Sequence, residues 1–190
     1  NRIFEGTNEI NRLFIPSTLL RRAQRGRFAF PTTPPDPSAN PTNGADPLEN
    51  TANLLKNAKQ VALALTGLAV KKFGDKLSEQ QEVLAAISDI IIEIFLDESA
   101  LLRTKKAIRQ GKLAGAMTDL THSLMNGSVA VMEQRANTVV AALSSGDELK
   151  TYLGMIRQSL RWTPNNVVEL RRNTAARLCE VGTYSALVSR

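Results

Sequence analysis

Cysteine, histidine and aromatic residues are scarce in this sequence, and it has no long apolar run. Cys179 is the only cysteine, so no disulfide can form within the chain, which fits a reducing compartment. His122 is the only histidine, and because zinc sites use three or four protein ligands, these two residues predict no metal site. Aromatic residues make up 5% of the chain, which argues against a β-sandwich or β-barrel. No apolar run exceeds five residues, whereas a membrane-spanning helix needs roughly 20.

The residues that are plentiful predict helices around a sizeable core. Hydrophobic residues make up 43% of the chain. Good helix formers, such as Ala, Leu, Glu, Lys and Arg, dominate after residue 48. We therefore predict an all-α protein in three parts: a basic helical segment over 1–30, a proline-rich linker over 31–47 and an antiparallel helical bundle over 48–190.

The first two parts differ from the bundle in charge and in proline content. Residues 1–30 carry a net charge of +4, whereas the other 160 residues carry only +2 and do not resemble a nucleic-acid-binding surface. Pro16 predicts a kink or break in the basic segment. Six of the eight prolines lie in 31–47, and we expect that stretch to be extended or disordered.

Capping residues predict the ends of the helices in the bundle. Asp46 and Pro47 open a first helix that ends near Lys72, before Gly74. A capping box formed by Ser78 and Gln81 opens a second, which Gly111 ends. The third helix covers about 113–143 and the fourth about 148–161, after a turn at 145–148, and a fifth begins at Thr163-Pro164.

The stretch most informative about chemistry is 2–13, with the sequence R-I-F-E-G-T-N-E-I-N-R-L. Glu5 stands beside Gly6, which allows a ligand to approach the backbone closely. Thr7 can cap the helix that follows, and helix-start amides suit an anion or a phosphate-bearing cofactor. A carboxylate in such a turn can act as a general base, although a single surface Glu before a helix is the commoner case.

This stretch resembles the signature near the end of the C-terminal helical domain of the acyl-CoA dehydrogenases. The match covers nearly every position of 2–13, in order. The resemblance implies that Glu5 is the catalytic base, which removes the α-proton of a fatty acyl-CoA thioester while FAD accepts a hydride from the β-carbon. Its backbone N–H would help to bind the thioester carbonyl. The resemblance implies the fatty acid β-oxidation type of reaction.

The other site assignments also rest on this resemblance. Gly6 matches a position that lines the acyl-CoA site. Thr7, Asn8 and Glu9 match positions at the FAD-binding site. No residue matches a metal ligand.

Residues 15–190 continue well past the motif, which is similar to the very-long-chain acyl-CoA dehydrogenases with their C-terminal helical extension. Residues 80–102 and 120–140 resemble that extension weakly. The resemblance implies a homodimer, an electron-transfer flavoprotein as partner, and a location in the cytoplasm or the mitochondrial matrix. Two roles stay open for residues 12–30. They could attach peripherally to the inner membrane, or they could pack on another part of the protein or on a partner subunit.

The family's amino-terminal helical domain, its β-domain and most of its FAD-binding residues have no counterpart in this sequence. We therefore expect the chain to be a C-terminal portion that alone neither retains FAD nor dehydrogenates a substrate. The alternative hypothesis is a non-catalytic helical module for dimerisation or membrane docking. We expect no nucleic-acid partner.

Overall fold

A computed structural model describes residues 7–31, 46–111 and 114–182, and every regular element in these ranges is helical. The all-α prediction is therefore confirmed. Most of the predicted linker, 32–45, lies outside the described residues, so its conformation stays a prediction. The helices are α1 (Asn8–Gln24), α2 (Pro47–Phe73), a short 3₁₀ helix (Gly74–Glu79), α3 (Gln81–Arg109), α4 (Ala114–Leu143), α5 (Gly146–Ser159) and α6 (Val167–Val181).

Helix α1 runs without a break through Pro16, so the predicted break at this residue is wrong. A proline has no N–H to donate to the carbonyl four residues earlier, which here is the carbonyl of Arg12. The hydroxyl of Ser88 on α3 donates a hydrogen bond to that carbonyl instead. Pro16 is itself buried. A neighbouring helix thus supplies the hydrogen bond that the proline removes, and α1 remains continuous.

Local capping determines the ends of α2 and the end of α3, as predicted. The carboxylate of Asp46 accepts a hydrogen bond of 2.9 Å from the backbone N–H of Leu48, and Pro47 occupies the first turn of α2. Gly74 follows α2 with φ +53° and Gly111 follows α3 with φ +68°. These positive φ angles favour glycine, because a Cβ atom would be strained there.

Three helix starts differ from the predictions. Helix α5 begins at Gly146, inside the predicted turn at 145–148. Ser78 does not cap α3, because it lies within the 3₁₀ helix that fills the turn after α2, and α3 begins at Gln81 without a side-chain cap. Helix α6 begins later than Thr163-Pro164. The side chain of Asn166 accepts a hydrogen bond from the backbone N–H of Glu169, so α6 starts at Val167. Asparagine is among the preferred N-cap residues, and it decides the boundary here.

The core lies between α2, α3 and α4, with α5 packed against it. Its fully buried side chains include Leu54, Ile87, Met132 and Val139. Polar pairs also join α3 to α4. The Thr104 and Thr121 hydroxyls lie 2.7 Å apart, and the Ser128 hydroxyl donates to Asp97 at 2.7 Å. Later residues of α3 pair with earlier residues of α4, so the two helices are antiparallel.

The loop between α5 and α6 is fixed to α4. The indole N–H of Trp162 donates to the side-chain oxygen of Asn126 at 2.7 Å, and the backbone N–H of Asn165 donates to the same oxygen at 3.1 Å. The side-chain amide of Asn126 returns a hydrogen bond to the Asn165 carbonyl. Trp162 therefore anchors this junction. No helix in the described part of the chain is long and apolar enough to cross a membrane.

Candidate functional site

The described part of the motif forms the first turn of α1. Thr7 is the N-cap, and its hydroxyl accepts a hydrogen bond of 3.5 Å from the backbone N–H of Ile10. Asn8 and Glu9 are exposed. The structure therefore brings Thr7, Asn8 and Glu9 together at one helix N-terminus, accessible to a ligand. Glu5 and Gly6 lie outside the described residues, so their assigned roles stay predictions.

The N-terminus of α1 has the electrostatics of an anion site. The first backbone N–H groups of a helix have no partner within it, and the helix dipole places partial positive charge there. Thr7 satisfies one of these N–H groups. Glu9 contributes a carboxylate in the first turn, which the same dipole favours. The turn thus offers amides, a hydroxyl and a carboxylate as contacts for a polar ligand.

Arg12, in the second turn of α1, attaches this site to the bundle. Its guanidinium Nη2 lies 2.6 Å from Oδ2 of Asp89 on α3 and 3.5 Å from the carbonyl of Ala85. Nε of Arg135 on α4 lies 2.9 Å from the same Asp89 oxygen. One carboxylate therefore joins two arginines from different helices. We call Arg12, Ser88, Asp89 and Arg135 the α1 anchor.

Sequence reasoning matched Arg12 to the motif but assigned it no role, and it missed the rest of the α1 anchor. Asp89 lies 77 residues from Arg12 in the sequence, so no short spacing pattern relates them. An aspartate in the middle of an apolar stretch of α3 was the available signal. Such a residue needs a partner when it is partly buried.

The opposite side of α1 exposes large apolar side chains. Ile10 is 64% exposed and Phe14 is 63% exposed, and their spacing of four places them on the same face of the helix. Leu13 and Leu20 instead pack against the core. Helix α1 therefore has one face docked on the bundle and one apolar face without cover in the described residues.

Two carboxylates on α3 that do not belong to the motif, those of Asp97 and Glu93, have raised pKa values. Burial raises the pKa of Asp97 to about 6, with Ser128 lowering it and Glu93 adding a smaller rise. Burial and the nearby Asp89 carboxylate raise the pKa of Glu93. Asp97 Oδ1 accepts from Ser128, while Oδ2 has no hydrogen-bond partner among the described residues. Asp97 lies in the bundle interior and Glu93 is half-buried one turn earlier on α3, and we interpret both as structural.

His122 and Cys179 form no site. Burial lowers the pKa of His122, although Asp119 and the backbone of Pro47 favour its charged form. Cys179 is exposed on α6. No group of three or more His, Cys, Asp or Glu side chains able to hold a metal ion occurs in the ranges that the structure covers.

A cleft lies where α2, α4 and α5 meet. Its narrow apolar part has room for about one water molecule, with a volume of about 20 Å³, and is lined by Leu65, Val140 and Tyr152 among others. A wider part of about 330 Å³ adds the exposed Lys71 and Lys72. None of the lining residues belongs to α1, so this cleft is separate from the motif.

Comparison with known proteins relates both the bundle and the whole chain to one family. A family model described as the C-terminal domain of acyl-CoA dehydrogenase matches residues 57–158. A probable acyl-CoA dehydrogenase from Bacillus subtilis (strain 168) is 36% identical over 199 aligned positions, which cover 97% of this chain and 32% of that protein.

The helical architecture of the chain is also similar to that of a solved structure. A crystal structure of an acyl-CoA dehydrogenase complexed with FAD from Bacillus anthracis superposes with a TM-score of 0.84 at 37% identity, covering 96% of this chain and 31% of that one. The chain thus spans about a third of the length of these relatives. It belongs to the acyl-CoA dehydrogenase family, whose C-terminal domain it matches.

Proposed function

We propose that this chain is the C-terminal portion of an FAD-dependent acyl-CoA dehydrogenase and supplies its catalytic base, Glu5. The observation that carries the proposal is the motif over 2–13, whose described part forms a capped helix start that Arg12 holds to the bundle. The FAD named for the Bacillus anthracis structure supports the assignment of the cofactor. Without the upstream domains we expect the chain itself to be inactive.

Glu5 has the chemistry that the reaction requires of a base. It precedes Thr7, the N-cap of α1, by two residues in the sequence. Its carboxylate would remove a proton from the carbon next to the thioester carbonyl. Backbone N–H groups that bind this carbonyl make the proton more acidic, because they stabilise the negative charge that develops on the oxygen.

The residues at the start of α1 fit one edge of a flavin nucleotide site. When bound, FAD supplies the acceptor for the hydride that leaves the substrate. The Thr7 hydroxyl, the exposed Asn8 amide and the helix-start N–H groups would contact its phosphate or hydroxyl groups. The exposed Glu9 carboxylate would accept hydrogen bonds from hydroxyl groups. Three side chains on one turn cannot enclose the cofactor, so we expect other parts of the whole protein to complete the site.

The finer assignments follow from the extent of the chain beyond the motif. We propose the very-long-chain type, acting on fatty acyl-CoA in β-oxidation, as a homodimer that passes electrons to an electron-transfer flavoprotein. The helices from α2 onwards support this proposal, because they form the region that resembles the extension of that type. The cytoplasmic or mitochondrial location stays a prediction.

Turnover of acyl-CoA by the whole protein tests the proposal. We would replace Glu5 with Gln and measure FAD content, ligand binding and dehydrogenation of acyl-CoA substrates of increasing chain length. Glu49→Gln is the control, because Glu49 is a glutamate in the first turn of α2, far along the chain from the motif. We expect Glu5→Gln to retain flavin and ligand and to lose most turnover. Near-normal turnover of this variant would show that Glu5 is not the base.

The exposed apolar face of α1 favours a second candidate function, a docking module. Ile10 and Phe14 are uncovered, and the exposed Arg21, Arg22 and Arg25 follow on the same helix and its cap. A segment of this kind can lie on an anionic membrane. Binding of the chain to anionic vesicles that weakens with salt would support docking, whereas absence of binding at low salt would remove it.

A further inference from the structure

The Asp89 carboxylate on α3 is the centre of the α1 anchor. Its Oδ2 atom lies 2.6 Å from Arg12 Nη2 and 2.9 Å from Arg135 Nε, and the side chain is only 16% exposed. The contact with Arg12 is a charge-assisted hydrogen bond, which is stronger and more directional than a surface ion pair, whereas Arg135 contributes an ion pair without hydrogen-bond geometry. The pair of arginines therefore fixes Asp89 between α1 and α4.

The main chain of Arg12 forms a second point of attachment between α1 and α3. Pro16 leaves the Arg12 carbonyl without its helical donor, and the buried Ser88 hydroxyl supplies one. Ser88 and Asp89 are neighbours on α3, so Arg12 is held through its backbone and through its side chain. Together with the packing of Leu13 and Leu20 on the core, two contacts on different groups restrict both the position and the rotation of α1.

The anchored residue belongs to the motif and lies close to the helix start. Arg12 lies five residues after Thr7, which corresponds to about 7.5 Å along a helix axis. The backbone between them is helical, and the N–H of Asn11 donates to the Thr7 carbonyl at 3.1 Å. A rotation of α1 at Arg12 would therefore move its N-cap, Thr7, with it.

We propose that Asp89 is a positioning residue for the dehydrogenation: through Arg12 it sets where the start of α1 is held, and Glu5 precedes that helix start by two residues in the sequence. This inference rests on the proposed function, since it gives the bundle a part in the dehydrogenation. Catalytic groups must lie within a few tenths of an ångström of their productive position. A misplacement of about 1 Å can reduce the rate by about 100-fold.

The test uses the whole FAD-containing protein with the substitution Asp89→Asn, which keeps the shape of the side chain and removes its charge. Asp89→Glu restores the charge and is the rescue variant. Glu98→Gln is the matched control, because Glu98 also forms an ion pair from α3, with Lys59, but a more exposed one that does not involve α1. Turnover is expressed per bound FAD, so that loss of folded protein does not count as loss of catalysis.

We expect Asp89→Asn to lower kcat by about 10- to about 100-fold with little change in KM. Its isotope effect with substrate deuterated at the α-carbon should increase, because proton removal becomes slower than the other steps. Asp89→Glu should recover part of the rate, and Glu98→Gln should behave as the wild type. A purely structural role would lower the amount of active protein and leave the isotope effect per active site unchanged.

The outcomes separate this inference from the proposed function. If the wild type does not oxidise acyl-CoA, or if Glu5→Gln remains active, both the proposed function and the positioning role are wrong. If the wild type is active, Glu5→Gln is inactive and Asp89→Asn matches the control in kcat and in isotope effect, only the positioning role is wrong.

Discussion

The fully buried carboxylate of Asp97 should make the bundle less stable as the pH rises, and Asp97→Asn should remove this effect. The Ser128 hydroxyl donates to one oxygen of Asp97 at 2.7 Å, and the other oxygen has no partner in the part of the chain that the structure describes. Burial is the main cause that raises the pKa of Asp97 to about 6, from its ordinary 3.8. Asparagine keeps the oxygen that accepts from Ser128 and carries no charge at any pH.

The sign and the size of the effect follow from the two pKa values. Between about pH 4 and about pH 6 the folded protein holds a proton on Asp97 that the unfolded chain releases, so raising the pH destabilises the folded state. Above about pH 6 both states are ionised and the loss is complete. At about 1.4 kcal/mol per pKa unit, the difference between 3.8 and about 6 corresponds to about 3 kcal/mol.

Urea unfolding of the 190-residue chain, followed by far-ultraviolet circular dichroism, measures this difference. We expect Asp97→Asn to be more stable than the wild type by up to about 3 kcal/mol at about pH 8, and the gap to close towards pH 4. Asp147→Asn removes an exposed carboxylate from α5 and should change the unfolding free energy by less than about 0.5 kcal/mol. If the difference in unfolding free energy between the wild type and Asp97→Asn is the same at every pH, the reasoning is refuted.

Three further substitutions test the packing. Gly67→Ala would place a Cβ atom 2.5 Å from the carbonyl oxygen of Pro31, so it should destabilise the chain by about 1–3 kcal/mol in urea unfolding. Gly127→Ala, also within a helix but with nothing within 4 Å of the added atom, should instead stabilise it by up to about 1 kcal/mol; destabilisation here would contradict the described spacing. Asn126→Ala leaves the Trp162 indole N–H without its acceptor and should cost about 1–3 kcal/mol, with a shift of tryptophan fluorescence; unchanged fluorescence would contradict the anchoring of this loop.

The sequence was sufficient where a helix end depends on its immediate neighbours. Asp46 with Pro47, Gly74 and Gly111 act through backbone geometry within a few residues, and each marks its boundary as predicted. The amphipathic spacing of apolar residues likewise predicted the long helices, and the long helices predicted the all-α fold class. Local signals thus determined the elements of this fold.

Sequence reasoning failed where a distant residue changes the outcome. Pro16 would break an isolated helix, but Ser88, which is 76 residues from Arg12, supplies the lost hydrogen bond. Asp89 and Arg135 could not be paired with Arg12 from the sequence for the same reason, since tertiary packing brings them together. The motif identified Thr7, Asn8 and Glu9 as neighbours at one helix start, but not how that helix is held.

The most direct test of the proposed function is a single turnover of the whole protein with acyl-CoA in the absence of oxygen and of any electron acceptor. Loss of the visible absorbance of oxidised flavin reports removal of the α-proton together with hydride transfer. We predict that the wild type loses this absorbance rapidly, and that Glu5→Gln binds the same substrate but keeps its oxidised flavin spectrum. Equally rapid loss of absorbance in the two proteins would contradict the assignment of Glu5 as the base.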